Sequence, residues 1–174
     1  LAAEMYPDMD FSLASQRIAA RKEYTTGAAK NNITSLNTVI GHMDQLSDIT
    51  DTLNNTSFPK YNSVANWIKN NTGKPEVKKF TAVIDAISSE SAKVFQGVGT
   101  ITQEEREKFR ENISAASSPE QVKSIVDGYT DLFKSRVDAL RYNWEQSMGS
   151  APAPIPFINP KTKKILEKHG YDAN

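Results

Sequence analysis

Glu90-Ser91 is the pair whose chemistry is easiest to state. A carboxylic acid on a helix, set in a groove that raises its pKa, can protonate the leaving oxygen of a glycosidic bond. Here Ser91 falls on the apolar stripe of a regular helical pattern, and no glycan-binding motif follows, so Glu90 reads as a helix-surface residue. His42 and His169 lie far apart. Apart from the neighbouring Asp44, neither has a carboxylate or second imidazole at helical ligand spacing, and a metal site is not expected. Gly97-Val98-Gly99 has two glycines of a dinucleotide loop, without the third and without a preceding strand. Gly73-Lys74 has the end of a phosphate loop, but Ile68 stands where its first glycine belongs and Pro75 where Ser or Thr is needed. Both read as helix breaks. The absence of cysteine removes disulfides and thiolate metal sites. No catalytic, cofactor-binding or metal-ligating residue is assigned, and no enzymatic activity or cofactor is expected.

The charged residues point to surface rather than site. Glu104, Glu105, Glu107 and Glu111 alternate with Arg106, Lys108 and Arg110, the pattern of a solvated, salt-bridged helix face. Lys161, Lys163, Lys164 and Lys168 make the C-terminal segment basic. The formal net charge is zero, and segments 1–56, 57–100, 101–149 and 150–174 carry −3, +3, −2 and +2. No field of either sign is strong enough to draw the chain to nucleic acid or anionic lipid, and sequence-specific nucleic-acid binding is not expected.

The elements that would position these residues are helices. Leu36, Val39, Met43, Leu46, Ile49 and Leu53 recur in steps of three and four. So do Val77, Phe80, Ile84, Ile87 and Val94, and then Val122, Ile125, Tyr129, Leu132, Arg136, Leu140 and Trp144. Each set occupies one face of a helix, and three such stripes find their simplest partners in one another. Mean hydropathy is −0.55, which suits slender helices with polar outer faces. The spacing predicts helices over 11–54, nearly continuous through Gly27, and over 60–71, 75–96, 102–113 and 118–148. Asp10 or Ser12, the Thr102–Glu105 capping box, and Ser117 or Ser118 supply starts. Pro75 and Pro119 suit first turns, and Gly73, Gly97 and Gly99 supply stops. No apolar run approaches the roughly 20 residues of a membrane span. The N-terminus lacks the pattern of a signal peptide. A start at Leu1 rather than Met is what a piece of a longer protein would show.

The expected fold is all-α: an elongated bundle of about five helices, a Pro-rich linker and a short C-terminal helix. Residues 1–9 form an irregular arm, 10–148 the bundle, 149–159 the linker, and 160–174 the short helix and tail. Pro152, Pro154 and Pro156 make the linker semi-rigid and extended, which would hold Ile165 and Leu166 away from the bundle. A helix this short is not stable alone in water. It needs a surface, which is another copy, a different protein or the bundle itself. Ile155, Phe157, Ile158, Ile165 and Leu166 are therefore candidate interaction residues. Trp67 and Trp144 join them as aromatic anchors, although core packing is the more frequent use of tryptophan.

A series of short phrases gives the chain a resemblance. Arg21 to Tyr24 with Thr26-Gly27 comes first, then Asn32-Ile33-Thr34-Ser35-Leu36-Asn37-Thr38, Ile40-Gly41-His42 and Leu53-Asn54-Asn55. Phe58-Pro59, Asn66-Trp67, Thr72-Gly73, Ser117-Ser118-Pro119-Glu120-Gln121, Ser135-Arg136 and Ala139-Leu140 follow. In order and spacing, residues 6–148 resemble a helical segment of large bacteriophage virion proteins known as internal virion, DNA transfer or ejection proteins. Ile158 to Tyr171 resembles the short tail that ends some of them. The resemblance implies a non-catalytic structural part of the virion, acting in DNA ejection or in capsid, portal or tail assembly. Its partners would be portal, tail or ejection proteins and further copies of itself, with transient contact with the host envelope into which it is delivered. Some such proteins carry a lytic transglycosylase domain elsewhere, but Glu90 does not reproduce that motif. The alternatives are a bacterial helical adaptor or effector domain, and a non-catalytic part of a peptidoglycan-degrading virion enzyme.

Overall fold

The computed structural model describes residues 13–54, 63–95 and 103–171. All regular structure among them is α-helical: α1 Ala14–Thr26, α2 Ala28–Asn54, α3 Val64–Asn70, α4 Pro75–Phe95, α5 Gln103–Ala115, α6 Pro119–Met148 and α7 Pro160–Lys168. The all-α bundle with a linker and short C-terminal helix is thus the observed architecture.

The long α2 is the centre. It packs against α4, α6, α1 and α7, while α5 bridges α4 and α6 and also meets α3. Leu36, Val39, Ile40, Met43 and Leu46 of α2 are wholly buried, as are Phe80 and Ile87 of α4, Phe109 and Ile113 of α5, and Phe133 of α6. Four small hydroxylated residues on these buried faces satisfy themselves. Thr50, Ser88, Ser91 and Thr130 each donate their hydroxyl to the carbonyl four residues back, at 2.7–2.9 Å. A small hydroxylated residue can then face a partner helix without an unpaired donor.

Local chemistry sets the helix starts. Ser63, Ser118 and Asn159 accept from the backbone N–H groups of Asn66, Gln121 and Thr162, at 3.2, 3.2 and 2.8 Å. Each satisfies an amide that the first turn leaves without a carbonyl. Pro119 and Pro160 occupy first turns, where a missing N–H costs nothing. The Thr102 cap, the stops at Gly97 and Gly99, the Asp10 or Ser12 cap, the arm over 1–9, the start of a helix at 60 and the burial of Leu53 fall outside the described residues.

Three expectations need correction. The first is continuity from 11 to 54, because Gly27 separates α1 from α2 in an extended conformation with ψ −164°. Glu23 folds over the break, and its Oε1 accepts the Ala29 N–H at 3.0 Å, so the last turn of α1 caps the first turn of α2. A Cβ at position 27 would lie 2.8 Å from the Glu23 Cα, so the close approach itself requires glycine. The second concerns the α6 stripe. Its buried residues are Pro119, Val122, Val126, Thr130, Phe133, Val137, Leu140 and Trp144, and Leu132 is 53% exposed. Ile125 and Tyr129 only flank the core. Two apolar registers compete along this helix; the one containing Val126, Phe133 and Val137 is buried, and Thr130 fits within it because its hydroxyl is bonded internally. The third is the C-terminal helix. The linker does not hold it away: α7 lies on α2, with Ile165 8% exposed and Leu166 0%.

Candidate functional site

The segment from Gly149 onward forms an arm that folds back along α2. Gly149 ends α6 with φ 62°, in the left-handed region that L side chains rarely adopt. The Trp144 indole N–H donates to the Ala151 carbonyl at 2.7 Å and fixes the first residues of the arm. Further on, Asn37 of α2 receives the arm with both ends of its amide. Its Nδ2 donates to the Phe157 carbonyl at 3.1 Å, and its Oδ1 accepts the Asn159 N–H at 2.9 Å. That bidentate pin sets the register in which Ile165 and Leu166 enter the core.

A clasp closes the far end. Lys168 Nζ donates to Asp44 at 2.8 Å and to Asp48 at 2.9 Å, and His169 Nε2 lies 3.0 Å from the same Asp44 oxygen. Burial pushes the Asp44 carboxyl up, but the hydrogen bonds from Lys168 and His169 outweigh it and leave its pKa below the ordinary value. Asp44 and Asp48 in turn hold the Lys168 ammonium above its ordinary range. Tyr171 leans over α6, its hydroxyl donating to the Asp127 carbonyl at 3.4 Å and its ring 5.7 Å from Lys134 Nζ.

Between the arm and α2 a groove of about 490 Å³ remains open, bordered by Lys30, Thr34, Thr38 and His42 of α2 and by Ile155 and Lys161 of the arm. Thr34 and Thr38 already donate to carbonyls of their own helix. The groove therefore offers scattered surface groups and no convergent set of acids, bases or ligands. Among the described residues no three His, Asp or Glu side chains lie close enough to hold a metal ion, and no helix is long and apolar enough to cross a membrane.

The seven residues singled out in the sequence are all placed within the chain's own packing. Trp67 is buried, its ring 5.5 Å from Phe80 and nearly perpendicular to it. Trp144 is buried against Tyr24 at 5.0 Å, and Tyr24 also meets Phe157 at 6.0 Å. Ile155, Phe157 and Ile158 are half-buried against the core that Ile165 and Leu166 enter. The structure brings Trp144 and Phe157 together through Tyr24 and leaves Trp67 among α3 and α4, in a separate part of the core. Glu90 pairs with Lys93 at 2.7 Å on the surface, and Ser91 is buried with its hydroxyl bonded to Ile87. Sequence reasoning missed Asn37, Asp44 and Asp48, the residues that receive the arm. Their signal is weak: three polar residues beside an apolar stripe, which on most helices mean only a solvated flank.

No known protein family, curated protein or solved structure matches this chain.

Proposed function

We propose that the chain is a non-catalytic structural component of a phage virion, acting in DNA ejection or in assembly of the capsid, portal or tail. The observation that carries this reading is the ordered series of phrases between Arg21 and Leu140 that resembles internal virion proteins. The places those phrases occupy support it. Tyr24 and Gly27 form the α1–α2 joint, Leu36 and Ile40 lie at the centre of the core, and Trp67 anchors α3. Ser118 and Pro119 open α6, while the Gln121 side chain accepts the Ser117 N–H at 2.7 Å. These residues hold the body together, as a part that works by assembly requires, while Thr34, Thr38 and His42 of the same phrases border the open groove. Its partners on this reading are portal, tail or ejection proteins and further copies of itself, with passage into the host envelope on infection.

Mass spectrometry of purified particles tests the reading: the chain is expected at a fixed copy number, cross-linked to portal or tail proteins. Its absence from particles, or peptidoglycan cleavage that disappears in Glu90→Gln, would overturn it.

A further inference from the structure

The arm and its seat on α2 form a self-contained pair. The arm is joined to the bundle through Gly149 and the stretch holding Pro152, Pro154 and Pro156. What holds it beyond that hinge lies on α1, α2 and α6: the Tyr24 ring against Phe157, the Asn37 pin, the Asp44 and Asp48 carboxylates, the Asp127 carbonyl, and the core that takes Ile165 and Leu166. None of these contacts depends on the arm belonging to the same chain. Opening the turn at Gly149 loses the Trp144–Ala151 hydrogen bond and relaxes the positive φ, and docking elsewhere restores everything beyond the hinge.

We infer that the α2 seat is also the docking surface for the C-terminal arm of a second copy, so that two chains associate by exchanging residues 150–171. The occupant is identified by the fit the structure already displays, since a second copy's arm carries the same Phe157, Leu166 and Lys168. A stiff polyproline-like hinge spans about 3.1 Å per residue, which lets an opened arm reach a neighbouring body. A tethered arm competes for its own seat at an effective concentration on the order of millimolar. The closed monomer therefore prevails in dilute solution, and exchange takes over where chains are crowded together.

The clasp provides the test. A Lys168→Glu chain faces its own Asp44 and Asp48 with a like charge. A second chain carrying Asp44→Lys and Asp48→Lys repels its own Lys168. In an exchanged heterodimer both arms meet a seat of opposite charge, whereas every closed monomer and every homodimer is mismatched. Mixing the two full-length chains and weighing the products by native mass spectrometry is expected to give about tenfold more heterodimer than either homodimer, a difference of about 1.4 kcal/mol. In the unmodified chain, Gly149→Ala strains the closed turn and lowers the concentration at which dimers appear. A mixture that stays monomeric, or a Gly149→Ala chain no more dimeric than its parent at concentrations on the order of a millimolar, would overturn the inference.

Discussion

Along α2, the seat for α4 and the seat for the arm are built from different materials. The helix buries Leu36, Val39, Met43 and Leu46 in the bundle, where α4 contributes Phe80, Ile84 and Ile87. The arm is received instead by an amide and two carboxylates of α2, which meet its backbone, its Lys168 and its His169, with Ile165 and Leu166 as its inserted apolar pair. Apolar burial stabilises by area and is indifferent to register at first contact. Hydrogen bonds to a bidentate amide stabilise little net, but leave buried polar groups unpaired when the register is wrong. The bundle is thus held by quantity and the arm by fit.

The largest effects should come from the apolar side of that contrast. Phe133→Ala, at a wholly buried position of α6, should cost about 3–5 kcal/mol in denaturant unfolding. Leu132→Ala, one residue away and half-exposed, should cost under about 0.5 kcal/mol. Equal losses at the two sites would mean that the α6 register is wrong.

Leu166→Ala should cost about 2–5 kcal/mol if the arm and bundle unfold as one unit. If the arm opens by itself, amide exchange should speed up over 157–171 and leave α4 unchanged. Asn37→Ala should act in the same direction with about 1–3 kcal/mol, because it leaves the Asn159 N–H and the Phe157 carbonyl without their partner. A change confined to α4 in either variant would contradict the assignment of these residues to the arm.

The smallest effect belongs to the clasp, and it carries a sign. The folded-state pKa of Asp44 is lowered, so its contribution is present above the ordinary carboxylate pKa of about 4 and is lost as pH falls through the folded value. Lys168 is raised, so its contribution is complete below the ordinary lysine pKa of about 10.4 and fades as pH rises through its folded value. Arm protection in hydrogen exchange should therefore be flat across neutral pH and fall below about pH 4. Asp44→Asn should flatten the acid limb, and added salt should weaken the clasp chiefly through Lys168 and Asp48, which are exposed. An unchanged acid limb in Asp44→Asn would place the pH dependence elsewhere.

Much of this was legible from spacing. The α2 stripe from Leu36 to Ile49, the α4 stripe, the cap at Ser118, and Pro75 and Pro119 at first turns rest on chemistry between neighbours in sequence, and they lie where the pattern puts them. Three features were not legible, each for a physical reason. The break at Gly27 depends on Glu23 folding over it, whereas an isolated glycine in a helical pattern costs only about 1 kcal/mol and predicts no break. The buried α6 register includes Thr130, whose hydroxyl is bonded internally but which hydropathy counts as polar. The arm's return depends on Asn37, 120 residues from Phe157, and no periodicity links residues so distant. Spacing therefore assigns no role to Asn37, Asp44 and Asp48, and predicts that the linker over 149–159 is extended and holds the short helix away from the bundle.

Tyr24 has a mechanical consequence. Among the residues of α1 it alone is buried, held by the ring of Trp144 and by its hydroxyl, which donates to the Leu140 carbonyl at 2.6 Å. Tension entering from the N-terminal side would not load the long stripe of α2 in shear. It would concentrate on that one aromatic anchor, and α1 would peel away turn by turn before the rest of the body felt the load. Tyr24, with the Glu23–Ala29 hydrogen bond across the break, would then set the force at which α1 gives way.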